Sequence, residues 1–355
     1  MISIIIPVYN AQAYIKTMLD GILGQSYNDW ELILIVSKSK DESLEICQEY
    51  EQKNKNIAVV AVESALPGEA RNIGMQRATG EYIMFADADD IITEKQVLSY
   101  FVEKAKKTDA DIVVGNYERL WKNKKLPARS HEIYSKKALN TEDFRFDGFF
   151  SVGTLAYVWG KLYKKSFLEN NRIMFEKVSY AEDKLFNINC YLDRAKYAFI
   201  DQICYTYRMN ASSVSHKYNS RQIECWMQIA QSIEEKKATL PDEDMKKAAD
   251  DIIDYLLFFG IFFAAKKEYE YHGKSMKKIY IFLKKYNESK LPKRTFKRLA
   301  MKKSIKDIHQ HMWKLMMWGF SLAMTLHLYW LLALGIKLLI DLRIDERLSD
   351  TGMRS

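Results

Sequence analysis

Residues 82–90 read YIMFADADD, an apolar run that ends in three aspartates with a single alanine among them. Carboxylates set this close repel one another unless a positive group joins them. Asp87 and Asp89 have DxD spacing, where a strand stops and a loop can turn both side chains one way. Hard divalent cations such as Mg2+ or Mn2+ take oxygen ligands, commonly one or two carboxylates completed by substrate phosphates. A cation there would relieve the repulsion and neutralise a diphosphate, on binding and again as a leaving group. The plain alternative is a polar turn or a cap for a helix starting near Thr93, a role open to Asp90.

The elements that must hold these acids are legible in the first 116 residues, where short β-rich runs alternate with amphipathic helical patterns. Strands are predicted at 2–8, 30–36, 56–62, 81–86 and 111–116, with helices at 11–25, 41–53, 69–78 and 94–107. Such alternation builds α/β units on a mainly parallel sheet, and continuous Ile and Val runs imply strands buried on both faces. Ligands of such sheets bind at the carboxyl ends of the strands, which here carry PVYN, VSKSKD and DADD. From 117 to 218 the periodicity weakens and aromatic residues multiply, which predicts loops and short helices over the sheet edge, an acceptor half beside a donor half at 1–116. Residues 219–355 read as a helical region, punctuated at Pro241 and Pro292.

The net charge of +8 is unevenly placed, because residues 289–306, SKLPKRTFKRLAMKKSIK, hold eight Lys or Arg and no acid. The block is either a solvated helical face or a surface for an anionic partner. Residues 315–336 follow, uncharged and with tryptophans near both ends. That length suits a spanning helix of about 20 residues, while its Ser, Thr and His suit a helix lying in the membrane interface or a buried one. An anionic membrane surface is the expected partner of both segments. The run YLLFFGIFFAA, 255–265, is too short to span and predicts the buried side of a helix. Cys47, Cys190, Cys204 and Cys225 lack CxxC spacing and are expected as buried thiols, without disulfide or zinc. The start MISIIIPVYN reads as a strand rather than a secretory leader, so a cytoplasmic location is expected, peripheral or C-terminally anchored at the inner face of the plasma membrane.

SIIIPVYNAQAYI at the start, together with LPGEARNIGMQRATGEYIMFADADD at 66–90, resembles the family 2 glycosyltransferases, inverting enzymes of the GT-A fold. The resemblance covers the first 115 residues well and isolated motifs as far as 216. It implies that Pro7, Tyr9 and Asn10 lie against the nucleotide of a sugar donor and that Arg71 and Asn72 bridge donor-site loops. It further implies that Asp87 faces ribose and metal, with Asp89 the main ligand of Mn2+ or Mg2+. Gly68 and Gly74 are expected to permit tight turns and close backbone approach. In YAEDKLFN, 180–187, the family's ED motif places Asp183 as general base and Glu182 as its neighbour, orienting it or contacting the acceptor; the local alternative is two acids favoured at a helix N-terminus. VWGKLYKK, 158–165, implies Trp159 against a sugar ring or in the core, and Lys161 near phosphate or acceptor. YRMNASSVSH, 207–216, offers Arg208, Ser213 and His216 to the diphosphate, or is a polar loop. The chain departs from the family after the second strand, where Val36 and Ser37 replace acids that usually accept a bond from the base. Ser37 is then the candidate base contact, with a UDP-sugar the expected donor.

Other classes fit less well. Phosphatases with a DxD need it after their first strand, where PVYN stands, and the first turn lacks GxGxxG. The basic block has no interleaved aromatics and no nucleic-acid module beside it. The expectation is therefore an enzyme that moves a hexose from a nucleotide-diphosphate sugar to a glycan or lipid-linked glycan in surface polysaccharide assembly. The alternative is a non-catalytic relative that keeps the fold.

Overall fold

The computed structural model describes residues 1–92, 94–122, 124–127, 139–151, 153–209 and 222–342. In chain order its elements begin β1 (Ile2–Val8), α1 (Ile15–Leu23), β2 (Trp30–Ser37), α2 (Ser43–Lys53), β3 (Ile57–Val62), α3 (Pro67–Arg77), β4 (Tyr82–Phe85), α4 (Val97–Thr108), β5 (Ile112–Trp121) and β6 (Lys124–Pro127). There follow α5 (Glu142–Phe146), continued by a π-turn over Asp147–Ser151, then β7 (Lys161–Lys164), α6 (Lys165–Asn170), α7 (Glu182–Leu192) and β8 (Tyr197–Arg208). The remainder is helical: α8 (Gln222–Thr239), α9 (Glu243–Tyr271), α10 (Met276–Asn287), α11 (Lys290–Ala300), α12 (His311–Thr325) and α13 (Tyr329–Asp341).

Met1–Lys136 and Leu155–Ser213 form one compact unit, and Lys137–Thr154 with Val214–Ser355 a second. The first is built on a sheet of order β3-β2-β1-β4-β7-β5-β6, with β8 paired to β5. β1, β2, β3 and β4 run parallel, whereas β7 is antiparallel to both β4 and β5. β1, β2 and β4 are buried nearly throughout because they have neighbours on both sides. β3 departs from the expected burial: it sits at the sheet edge, and of its residues only Ile57 is buried. β7 and β8 lie where loops and short helices were expected. β7 is a four-residue strand, and β8 carries a bulge opposite Gly115–Tyr117, so neither shows a clean two-residue alternation.

The second unit is organised on α9, whose stretch 255–262 is wholly buried, as the apolar run predicted. Asp242 caps α9, accepting from the Met245 amide at 2.8 Å. Residues 137–154 belong with this unit rather than with the sheet, contrary to the contiguous division expected at 218. Arg145 pairs with buried Asp251, Lys247 donates to Glu142 at 2.8 Å, and Phe146 and Phe150 pack edge-on against Tyr255. Charges 106 residues apart meet here, a pairing no local pattern encodes.

Two features of the basic and apolar tail are corrected. Arg294 pairs with Glu234, and Arg298 Nε donates to Asp254 Oδ2 at 2.8 Å, so these two basic residues hold helices together instead of facing a partner. Residues 315–336 are not one helix: α12 stops at Thr325, His327 turns at φ 59, and α13 starts at Tyr329. Among the described residues no helix is long and apolar enough to cross a membrane. All four cysteines are free and buried, as expected.

Candidate active site

β1 lies between β2 and β4, the point where strand order reverses, and the carboxyl ends of these parallel strands share one edge of the sheet. Pro7, Tyr9, Asn10 and Ser37 all lie at that edge. The loop after β1 is stitched to the loop after β2: the Asn10 amide donates to Ser39 Oγ at 3.0 Å, that of Ala11 to Ser43 Oγ at 2.8 Å, and that of Gln12 to Asp41 Oδ2 at 3.0 Å. Asn10 adopts φ 47, a left-handed conformation its short polar side chain tolerates. Tyr9 is 64% exposed, whereas the Ser37 side chain is buried beneath the loop and its carbonyl accepts from Ser39 Oγ. Lys38 points outward to Glu63 at 3.1 Å.

Arg71 is the hub. It is 3% exposed, carried by α3, and its Nη2 donates to Asp87 Oδ1 at 2.7 Å. Its Nη1 donates to Asp183 Oδ1 at 2.7 Å and to Glu182 Oε1 at 3.1 Å. The guanidinium also lies over the Phe175 ring, 5.4 Å from its centroid. Neighbouring Asn72 exchanges two hydrogen bonds with the Phe175 backbone, giving at 2.8 Å and receiving at 2.9 Å. The Arg71 side chain thus joins the ED segment to the DxD segment, more than 90 residues away in sequence. Gly68 and Gly74 are not in turns; both lie inside α3, where a Cβ on Gly74 would sit 2.3 Å from Ile5 Cγ2 and one on Gly68 3.0 Å from Phe175 Cβ. Their small size lets α3 press Arg71 into the site.

Asp183 stands in the first turn of α7, which Ala181 opens in a left-handed conformation at φ 61. That geometry is unfavourable for a residue with a Cβ and is typical of constrained sites. Burial pushes the Asp183 carboxyl up to about 8; Arg71 opposes the shift, and Glu182 and Asp87 add to it. With 18% of its side chain still accessible, Asp183 can meet a ligand.

Asp87 and Asp89 are half-buried, while Ala88 and Asp90 between and after them are buried. Asp90 does not cap a helix, because α4 begins only at Val97 and the acid is enclosed by β8. Tyr205 Oη donates to Asp90 Oδ2 at 2.7 Å and accepts from the Asp87 amide at 3.0 Å. The Arg208 amide donates to Asp90 Oδ1 at 2.8 Å, and Arg208 Nε to the Asp89 carbonyl at 2.9 Å. Arg208 also covers the Tyr14 ring at 5.3 Å, which sets a guanidinium beside the DxD. Desolvation, followed by the charges of Asp87 and Asp89, pushes the Asp90 carboxyl well up; Tyr205 and Arg208 offset part of that.

Trp159 and Lys161 are supports rather than surface contacts. Trp159 is stacked between Tyr157 at 4.6 Å and Tyr205 at 4.7 Å, and 4% exposed, so it has almost no face for a sugar. Lys161 is equally enclosed, with Nζ donating to the Tyr157 carbonyl; burial pulls its ammonium down to about 7, against the pull of Asp183. Lys161 opens strand β7 and Trp159 precedes it, bridged to Phe85 at the end of β4, an arrangement that the sequence, reading no strand there, did not reveal. Tyr205, Asp90 and Asn72 are the site-forming residues whose contacts the sequence concealed. Ser213 and His216 lie outside the described residues.

Among the described residues no three His, Cys, Asp or Glu side chains gather as a metal cage. The donor set available is the carboxylate pair Asp87 and Asp89. Two carboxylates suit a Mg2+-like ion that completes its shell with water and phosphate oxygens. Arg71 takes up one carboxylate oxygen of Asp87, and Arg208 reaches the backbone carbonyl of Asp89.

Residues 3–170 match the model of "Glycosyl transferase family 2". The poly(ribitol-phosphate) beta-glucosyltransferase of Bacillus spizizenii is 35% identical over 202 residues, 55% of this chain and 30% of that protein. Against the first curated relatives the matched region spans between about a third and two thirds of their length. Among solved structures, Staphylococcus aureus TarS 1–349 in complex with UDP-GlcNAc aligns with a TM-score of 0.65 at 19% identity, covering 96% of this chain and 91% of that one. The mannosyltransferase PcManGT from Pyrobaculum calidifontis, in complex with GDP-Man and Mn2+, aligns with a TM-score of 0.53 at 15% identity, covering 95% and 86%. The fold is the GT-A fold, with a helical C-terminal region.

Proposed function

We propose, from the premise that the chain belongs to Glycosyl transferase family 2 through residues 3–170, that it moves a sugar from a nucleotide-diphosphate donor to a hydroxyl of a glycan or lipid-linked glycan, with inversion. The observation that carries this reading is Arg71, which holds the DxD carboxylate Asp87 and the candidate base Asp183 on a single guanidinium. The arrangement keeps the group that binds the leaving diphosphate and the group that activates the acceptor at one edge of the sheet.

Asp183, once deprotonated, takes the proton of the acceptor hydroxyl as its oxygen attacks the anomeric carbon. The bond from that carbon to the diphosphate breaks, and the nucleoside diphosphate leaves with the electron pair. Glu182 contacts the acceptor or orients Asp183, while Arg208 lies close enough to the DxD to meet diphosphate charge. Asp87 and Asp89 are the residues that would hold a divalent cation, which would supply Lewis-acid neutralisation of that charge. Tyr9, open at the end of β1, is available to the nucleotide base, and Asn10 shapes the loop around it. TarS is described with UDP-GlcNAc and PcManGT with GDP-Man, and of the two we assign a UDP-sugar as donor; the poly(ribitol-phosphate)-modifying relative supports surface polysaccharide assembly, which we assign to the cytoplasmic face of an anionic membrane. A nucleotide-sugar panel with Mn2+ tests the reading. Turnover should disappear in Asp89→Ala and Asp183→Asn; full activity in both variants would reject the assignment, and no turnover with any donor would favour the non-catalytic alternative.

A further inference from the structure

α13 reads YWLLALGIKLLID, and both of its faces are apolar. One buries Tyr329, Leu332, Ala333 and Ile336 within the helical unit. The other leaves Trp330, Leu331, Leu334 and Leu338 between 42% and 58% exposed, with Leu328 in the preceding turn similarly open. A helix apolar all round is normally covered on every side. Its two charged residues, Lys337 and Asp341, pair with each other and leave the stripe uncharged.

Charge selects what covers it. Residues 273–342 hold fifteen Lys or Arg against three acids, so a second copy of this surface would meet strong like-charge repulsion. Lys290, Lys293, Lys297, Lys302, Lys303 and Lys306 are exposed. Lys302 lies over the Trp318 ring of α12 at 4.9 Å, and Lys314 of α12 donates to the Lys306 carbonyl, so the basic loop borders α12. Trp330 stacks on Tyr280 at 4.9 Å, an aromatic pair of the kind enriched where hydrocarbon meets headgroups.

We propose that the α12–α13 hairpin is a monotopic docking surface for an anionic bilayer, lying in the interface with the leucine stripe among the acyl chains and the lysines on the headgroups. A 13-residue helix is about 20 Å long, short of the roughly 30 Å hydrocarbon core, which accounts for a hairpin that rests on the membrane without crossing it. This sharpens the membrane expectation to named residues and a geometry, and it stands independently of the catalytic reading.

Flotation of the full chain with phosphatidylglycerol-containing and pure phosphatidylcholine vesicles tests the surface. The expected result is flotation with the anionic vesicles only, weakened by salt. Leu331→Glu with Leu334→Glu should abolish it. Replacing Lys302, Lys303 and Lys306 with Gln should lower partitioning by about a hundredfold, at roughly fivefold for each charge near an anionic leaflet. Both variants change exposed side chains, so melting temperature and donor turnover in vesicle-free solution should match the wild type, which separates failure here from failure of the catalytic assignment. Absence of flotation on anionic vesicles, or flotation that survives the Leu substitutions, would overturn the proposal. So would a dimer in sedimentation velocity that the same substitutions dissociate while no vesicle binding is seen.

Discussion

Tyr205 Oη sits 2.7 Å from Asp90 Oδ2, and the same oxygen accepts from the Asp87 amide at 3.0 Å. A strand from the far side of the sheet therefore fixes the backbone that carries the DxD. The phenol is itself clamped by the Trp159 stack, so its position is set by packing before any ligand arrives.

Tyr205→Phe keeps the ring and removes both hydrogen bonds, which leaves a buried carboxyl and an amide short of a partner. The expected cost is about 1–3 kcal/mol of stability, read by urea denaturation, with apparent Mn2+ affinity and kcat both falling. Trp159→Ala should cost more stability, about 3–5 kcal/mol, since it empties the stack. If Tyr205→Phe lowers stability but leaves Mn2+ activation unchanged, the hydroxyl does not position the DxD.

Arg71 is buried against three carboxyls, and its loss strands them. Arg71→Met should destabilise the fold by about 3–5 kcal/mol, as expected when one partner of a buried ion pair is removed. Arg71→Lys cannot bridge both directions with one ammonium and should also lose activity. Thermal melts of both variants, beside donor turnover, separate the structural part from the catalytic part.

The raised carboxyl of Asp183 predicts a pH profile. A general base works deprotonated, so kcat/KM of the free enzyme should climb as pH rises through about 8. The stability sign is the reverse. The folded value lies above the ordinary carboxylate value of about 4, so this group's contribution to stability is complete below pH ~4 and is lost as pH rises toward about 8. Asp183→Asn should therefore melt higher than wild type near pH 8, with the difference vanishing near pH 4. A melting curve of the variant that tracks wild type across this range would reject the shift.

Gly74→Ala would place a methyl 2.3 Å from Ile5 Cγ2. Overpacking of this kind costs about 1–3 kcal/mol and should lift Arg71 out of reach of Asp183. Adding Ile5→Ala removes the obstructing branch, so the double variant should recover Arg71-dependent activity beyond the sum of the single effects. Strict additivity in a double-mutant cycle would show that the two sites do not touch.

The Ile and Val runs of β1 and β2, the DxD at the end of β4 and the acids opening α7 were legible because each is a local pattern: a buried parallel strand, a strand-to-loop change, a helix start. The position of Arg71 was legible, but its reach was not. Burial of Lys161 depended on β7, four residues long, that of Trp159 on its stack with Tyr205 of β8, and the enclosure of Asp90 on β8, whose contacts with the DxD cross 115–119 residues. Lys137–Thr154 joined the helical unit through Arg145 and Asp251, again a distant pair. In the tail, composition placed an uncharged stretch over 315–336, but only the folded chain decided where it turns, at His327, and which leucines stay outside. Sequence by itself determines what depends on neighbours three or four residues away, hydrophobic period and motif chemistry above all. Tertiary structure decided which of those groups meet and which are buried, because burial and ion pairing depend on segments distant in sequence that come together only inside each folded unit.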